Sequence, residues 1–270
     1  MTLSPLVSAL AIPCYLLATG LIFRSIKQQS DFKKRTLLPK AVWLLALLLH
    51  GTALGLVLFT ATGLNLSFPN ALSLVSWFIA LLLFFSIWHH PLDSLALMVL
   101  PIVSLAIIAG LMTTTPANLL ISGNQGLQWH VLISLLGFSI LALGATQALL
   151  LSYQDKKLRS HKFSGWVRHL PPLQYMEDFL FQLLTIGFLL LSISLATGWL
   201  FIDDIFAQHL VHKTVLSITA WVVFAVLLLG RFISGWRGQQ AIRWTLWGFV
   251  FLVLAYFGSK LVLEIILQRT

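Results

Sequence analysis

Charged side chains are scarce in this sequence. Of its 270 residues, 9% are Asp, Glu, Lys or Arg, whereas 59% are hydrophobic. A soluble domain carries about 25% charged residues, and a soluble chain of this composition would leave a large apolar surface in contact with water. The composition therefore excludes a soluble globular domain and indicates a polytopic membrane protein.

Cysteine and catalytic motifs are also lacking. The one cysteine, Cys14, excludes a disulfide within the chain and any Cys-x-x-Cys motif. The sequence has no Gly-rich phosphate loop and no nucleophile at a spacing that would give it a positioned base. Its eight acidic residues lie in loops or near the ends of apolar runs, which argues against the proton relays of ion pumps. The sequence predicts a protein that is not an enzyme.

Long apolar runs dominate the chain. A membrane span needs about 20 mostly apolar residues, and runs of this length are too long for the strands of a membrane barrel, so we expect helices. Eight such runs are present, at approximately 4–23, 41–61, 71–88, 92–112, 129–151, 176–200, 214–231 and 244–263. The predicted fold is an all-α polytopic transmembrane bundle of eight spans, forming a single integral membrane domain over residues 1–270.

The cations are distributed unevenly between the two sides of this bundle. Fourteen of the 17 Lys and Arg residues lie in the loops 24–40, 152–175 and 231–243, which an eight-span arrangement places on the same side. We call this side the basic side and the opposite one the outer side. Because loops rich in Lys and Arg remain in the cytoplasm, the pattern predicts both termini outside. The net charge of +9 thus reflects how the protein is oriented across the lipid membrane and does not predict a nucleic-acid partner.

Histidine is as common as all acidic residues together, with eight copies. Four of them, His89, His90, His161 and His169, fall on the basic side, where we expect contact with solvent or lipid headgroups. The other four are His50, which lies within a span, and three histidines near the outer side.

His50 lies ten residues after Lys40 in the second span, about 15 Å along the helix and close to the membrane midplane. A buried imidazole at this depth must find a polar partner. The following Gly51 and Gly55 form a small-residue pair that permits close helix approach. Two interpretations remain open, a hydrogen bond to a neighbouring helix and a role in a ligand site or substrate path.

Three histidines lie at the outer ends of spans. His130 follows Trp129 at the start of the fifth span, and His209 and His212 precede the seventh. A tryptophan next to a histidine at the membrane surface is often only a residue of the aromatic belt with a polar neighbour. Two histidines from separate helix ends are also how a bundle supplies two axial nitrogens to a haem iron. A zinc site would need a third or fourth ligand.

Several of these segments resemble the cytochrome c assembly family, whose members handle haem. The segment 212–221 resembles the stretch that follows the last outer loop in that family, and His130 resembles the other outer histidine. Residues 170–173 followed by Glu177 resemble the entry from the basic side into the next span. The tail, including 235–238, resembles the HemX/YpjD-like eight-span inner-membrane branch.

The resemblance implies a haem-handling protein of the bacterial inner membrane that binds non-covalent b-type haem at the outer side. It implies His130 and His212 as the axial iron ligands, with His209 as the substitute for His212 and His50 as a candidate for an inner site. It also implies a partner that is another inner-membrane protein or a component of cytochrome maturation.

Two alternatives remain open. Family members that present haem carry a tryptophan-rich outer motif before the second histidine, and residues 113–128 contain no tryptophan. This difference favours a haem-free accessory or regulatory subunit of a membrane complex. A small-molecule transporter would need discontinuous helices, and Pro13 and Pro101 are the two residues that favour breaks in spans one and four.

Overall fold

The structure, a computed structural model, describes residues 3–28, 37–60, 63–88, 90–113, 119–121, 125–160, 170–201 and 208–258. The chain folds as two compact units, residues 1–122 and 123–270, which we call the N-terminal and C-terminal units. Each unit contributes four of the eight described helices that are long and apolar enough to cross a membrane. The predicted all-α bundle of eight spans is thereby confirmed, whereas the assignment of residues 1–270 to a single membrane domain stays a prediction.

The N-terminal unit consists of α1 (Leu3–Lys27), α2 (Leu37–Leu58), α3 (Phe68–Ser86) and α4 (Asp93–Met112). Helix α1 packs against α2 and α4, and α3 packs against α2 and α4. Pro13 lies inside α1 and Pro101 inside α4, and both helices run through these positions without interruption. The discontinuous helices that a transporter would need are therefore not found in these two spans.

A small antiparallel sheet at the outer side was not predicted from the sequence. It contains β1 (Phe59–Thr60), β2 (Gly63–Asn65) and β3 (Leu119–Ile121). Leu64 pairs with Phe59 on one side and with Leu120 on the other. The pairing satisfies backbone N–H and C=O groups of the connections after α2 and α4, which would otherwise be costly near the hydrocarbon.

The C-terminal unit consists of α5 (Gln125–Arg159), α6 (Leu173–Phe201), α7 (Gln208–Ser234) and α8 (Gly238–Val253), and α8 continues into one turn of π-helix over Leu254–Gly258. Helix α5 packs against α6 and α8. A side chain at Gly187 of α6 would begin 2.6 Å from the Leu141 side chain of α5, so glycine at this position allows the two helices to approach closely.

A buried ionic cluster closes the basic end of the C-terminal unit. The Glu177 carboxylate accepts hydrogen bonds from Arg231 Nη1 at 2.9 Å, Arg237 Nε at 3.2 Å and the Gly238 amide at 3.4 Å. Gln239 Nε2 donates to Asp155 Oδ2 at 2.6 Å. These contacts join the second turn of α6 and the last turns of α5 to the end of α7, the start of α8 and the short connection between them.

Candidate functional site

His130 lies in the second turn of α5, at the outer side of the C-terminal unit, and its side chain is half-buried. Its Nδ1 is 3.1 Å from the Thr197 hydroxyl of α6. A Cβ atom at Gly198 would lie 3.0 Å from His130 Cε1, so the imidazole rests against the α6 backbone. The imidazole also has a hydrogen-bonding contact with the Ser194 backbone of α6. The ring is thus held on its α6 side, and Nε2 is the nitrogen that is not in contact with the Thr197 hydroxyl.

The backbone of the same turn is held by two serines. Ser134 Oγ donates to the His130 carbonyl oxygen at 2.6 Å, and it lies 2.6 Å from Ser194 Oγ on α6. Because the Ser134 hydrogen is directed to the carbonyl, Ser194 is the donor in the contact between the two hydroxyls. Ser194 and Thr197 are three positions apart and therefore share one face of α6. This face fixes both the backbone and the ring of His130.

His212 lies in the second turn of α7 and is exposed. His209 belongs to the first turn of the same helix, and its side chain lies outside the described residues. The described contacts of the His130 side chain are made with α6 and do not join it to His212. The structure therefore places both predicted axial ligands at the outer end of one compact unit, on helices α5 and α7.

His50 lies in the other unit and is 1% exposed. Its Nε2 is 2.9 Å from Ser73 Oγ on α3, and its Nδ1 is 3.4 Å from the Tyr15 hydroxyl on α1. The ring packs edge-on against Tyr15, with 5.9 Å between the ring centroids. His50 is thus hydrogen-bonded to two neighbouring helices, which is the first of the two interpretations of its sequence position.

Gly51, next to His50, is in contact with a tryptophan from α3. A Cβ atom at Gly51 would lie 3.1 Å from Trp77 Cζ2, whereas nothing lies within 4 Å of one at Gly55. Trp77 Nε1 donates to the Leu47 carbonyl oxygen at 2.9 Å. The first glycine of the pair therefore provides the close helix approach that the sequence indicated, and the second does not contribute to it.

The remaining histidines are less informative about a ligand site. His90 is half-buried on the basic side, while His89, His161 and His169 lie outside the described residues. Among the described residues, no group of three or more His, Cys, Asp or Glu side chains is arranged to hold a metal ion.

Exposed tryptophans flank the outer histidine. Trp129 precedes His130 and is 64% exposed, and Trp199 follows Gly198 and is 76% exposed. Indole rings at the ends of spans lie at the level of the lipid headgroups. The position of these two side chains therefore indicates that His130 lies at the outer interface.

Three residues of this arrangement were missed by sequence reasoning, namely Ser134, Ser194 and Thr197. Hydroxyl residues are common in membrane helices, where they bond to their own backbone. The spacing of four positions between His130 and Ser134 and of three between Ser194 and Thr197 was a weak signal for two facing polar patches.

A comparison with protein-family models matches residues 37–267 to a family described as cytochrome C assembly protein. The chain belongs to the cytochrome c assembly protein family. The match covers all of α2 to α8, so the expected family membership is confirmed over most of the chain. It includes the three outer histidines and His50.

Two relatives cover different shares of this chain. It is 32% identical over 268 residues to the inner membrane protein YpjD of Escherichia coli K12, covering 97% of this chain and 99% of the relative. It is 23% identical over 142 residues to the cytochrome c biogenesis protein CcsA of Chlamydomonas reinhardtii, covering 51% of this chain and 38% of that protein. No solved structure shows significant similarity to it. The described residues contain eight helices able to span a membrane. Together with the similarity to an inner membrane protein over nearly the whole chain, they identify a multi-pass inner-membrane protein.

Proposed function

We propose that this membrane protein of the cytochrome c assembly family binds one haem at its outer side, with His130 and His212 as the axial ligands. The proposal rests on His130, whose ring is held against α6 by Thr197 at Nδ1 and by the Ser194 backbone. Nε2 is then the nitrogen with which the ring would bind a ligand. Histidines that bind metals commonly donate a hydrogen bond through the other ring nitrogen.

The residues present fit a haem in their chemistry. Imidazole is an ordinary axial ligand of haem iron, and His130 and His212 both lie at the outer end of the C-terminal unit, one half-buried and one exposed. A bound haem would supply a redox-active iron. His130 and His212 would hold it through their imidazoles, and contacts with α6 already fix the ring of His130.

We propose b-type, non-covalent binding. Covalent attachment of the c type uses a Cys-x-x-Cys-His sequence, and this chain has one cysteine, Cys14. His209, one turn before His212, is the alternative second ligand. His50 is a less suitable inner ligand, because hydroxyl groups already lie within hydrogen-bond distance of both its ring nitrogens.

The second candidate is a haem-free accessory or regulatory subunit of a membrane complex. The absence of tryptophan from residues 113–128 favours it. In either case the proposed partners are membrane lipid and another inner-membrane protein or a component of cytochrome maturation, and no enzymatic activity is proposed. A transporter is disfavoured by the continuous helices α1 and α4.

The test is the absorption spectrum of the protein purified from haem-replete cells. We expect a Soret band that acid acetone abolishes by extracting the haem, and that is lost in the doubly substituted His130→Ala, His212→Ala protein. His90→Ala, on the basic side, is the matched control and should retain the band. A band that survives the double substitution contradicts the ligand assignment. Protein that carries no haem and co-purifies with a larger membrane assembly would support the second candidate.

A further inference from the structure

We infer that Thr197 is a positioning residue that holds His130 in the Nδ1–H tautomer and thereby makes Nε2 the metal-binding nitrogen. The inference deepens the proposed haem site and rests on it for its functional meaning. The tautomer of His130 itself can be measured in the haem-free protein.

The hydrogen bonds of Thr197 determine which atom donates. A threonine hydroxyl has one hydrogen to donate and two lone pairs to accept with. Thr197 Oγ1 lies 2.9 Å from the Ile193 carbonyl oxygen and 3.0 Å from that of Ser194, and it donates its hydrogen to this pair. Its lone pairs then face His130 Nδ1, which is 3.1 Å away. The contact is a hydrogen bond only if Nδ1 carries the proton.

The proton on Nδ1 decides the chemistry of the second nitrogen. A neutral imidazole has one N–H group, so the other nitrogen keeps its lone pair. Nε2 of His130 therefore presents a lone pair, which is what coordination of iron requires. With the opposite tautomer, Nε2 would carry a hydrogen and would have to lose it before binding a metal.

The position of the ring is fixed by contacts that do not involve Thr197. Gly198 brings the α6 backbone against the imidazole, since a Cβ atom there would lie 3.0 Å from Cε1 and 3.6 Å from Nδ1. Ser134 holds the His130 carbonyl oxygen at 2.6 Å. The ring thus has little freedom to turn away, and the Thr197 hydroxyl selects which of its nitrogens is protonated.

The first experiment measures the tautomer in the full-length, haem-free protein. Solid-state NMR of protein with ¹⁵N-labelled histidine in lipid bilayers, assigned by comparison with His130→Ala, should show a protonated Nδ1 and an unprotonated Nε2. A protonated Nε2 with unprotonated Nδ1 in the unchanged protein would overturn the inference. This result does not depend on whether haem binds.

The second experiment measures haem affinity and the visible spectrum in Thr197 variants. Loss of the partner that orients a metal-binding histidine typically weakens metal binding about 10- to 100-fold, and we expect an effect of this size, with a shifted Soret maximum, for Thr197→Val. Thr197→Ser keeps the hydroxyl and should restore affinity and spectrum. Thr185→Val is the matched control, because Thr185 lies on the same helix and its described hydroxyl bond is to the Phe181 carbonyl oxygen.

The outcomes separate the two proposals. Haem that binds to Thr197→Val with unchanged affinity and spectrum overturns the role of Thr197 and leaves the haem site standing. Failure of the unchanged protein to bind haem overturns the haem site, while the NMR result still decides the tautomer. If Thr197→Val does not fold, Gly198→Ala provides the second variant, since its added methyl group displaces the ring and should weaken haem binding while the hydroxyl is kept. Unchanged haem affinity in Gly198→Ala would then overturn the proposed fixing of His130 by α6.

Discussion

Arg231 Nη1 lies 2.9 Å from Glu177 Oε1, across the 54 positions that separate the last turn of α7 from the second turn of α6. The Glu177 side chain is 4% exposed and also accepts from Arg237 Nε at 3.2 Å. The neighbouring acid, Asp178, contacts Arg231 Nη2 at 3.3 Å but is 52% exposed. The chain thus contains a buried and an exposed ion pair made by one arginine.

This arrangement predicts that Glu177→Ala destabilises the protein more than a change at Asp178. Breaking a fully buried pair costs about 3–5 kcal/mol, whereas an exposed pair contributes about 0–1 kcal/mol. The arginines that Glu177→Ala leaves behind, Arg231 and Arg237, are 27% and 55% exposed, so we expect a loss between these two limits. Thermal unfolding in detergent should therefore show a clear decrease in Tm for Glu177→Ala and little change for Asp178→Asn. Equal decreases for the two variants would contradict the difference in burial.

The two glycines of the second span should respond differently to alanine. Gly51→Ala places a methyl group 3.1 Å from the Trp77 ring, whereas at Gly55 the space is open. Overpacking of this kind costs about 1–3 kcal/mol, so the free energy of unfolding should fall for Gly51→Ala only. Gly55→Ala is the internal control, and a comparable loss in it would show that helix approach at Gly55 has been overlooked.

The two polar contacts of His50 should contribute unequally to the free energy of unfolding. Ser73→Ala removes the 2.9 Å partner of Nε2, and Tyr15→Phe removes the 3.4 Å partner of Nδ1. The net contribution of a hydrogen bond to stability is about 0.5–1.5 kcal/mol. The shorter contact should contribute an amount near the upper end of this range. Unfolding experiments should thus rank Ser73→Ala as the more damaging change. Ser76→Ala serves as the comparison, because Ser76 donates to the Ser73 carbonyl oxygen of its own helix.

Substitution of His50 also tests where haem binds. If haem is held at the outer side, His50→Leu should lower stability and leave the Soret band of the remaining folded protein unchanged. Loss of the band in His50→Leu, together with its survival in the His130→Ala, His212→Ala protein, would move the site to the N-terminal unit.

The turn between α7 and α8 depends on glycine backbone conformation. Gly235 has φ of 62° and Gly238 has φ of 57°, a region that costs other residues about 1–2 kcal/mol. Gly235→Ala should therefore lower Tm, although nothing lies within 4 Å of its added methyl group. Gly20→Ala, in the interior of α1 with equally open space, should not. If Gly235→Ala has the same Tm as Gly20→Ala, the turn tolerates a side chain at Gly235.

The eight spans were predictable because each depends on local composition over about 20 residues. The ends of the helices were less predictable. Helix α5 continues to Arg159, eight residues beyond the predicted end at 151, because its last turns are held by contacts such as that between Asp155 and Gln239. The three short strands were not predicted, since β3 pairs with a segment more than 50 residues earlier and each strand has only two or three residues.

The candidate site was predicted in part for the same reason. His130 and His212 stand out as polar residues at the ends of apolar runs, so their placement at the outer end of one unit follows from topology. The role of Thr197 depends on a contact across 67 positions, and a hydroxyl inside a membrane helix has no distinctive local signal. Likewise, Glu177 marks the start of α6 in the sequence, but its burial depends on Arg231 and Arg237.

The ionic cluster around Glu177 has a mechanical consequence for the opposite end of the C-terminal unit. Arg231 follows His212 by 19 residues of α7, so His212 lies about 28 Å along the helix from this cluster. A tilt of α7 by about 5° around its basic end would therefore move His212 by about 2.5 Å. A small change in the angle of α7 at the basic side would thus alter the separation of the His130 and His212 rings at the outer side.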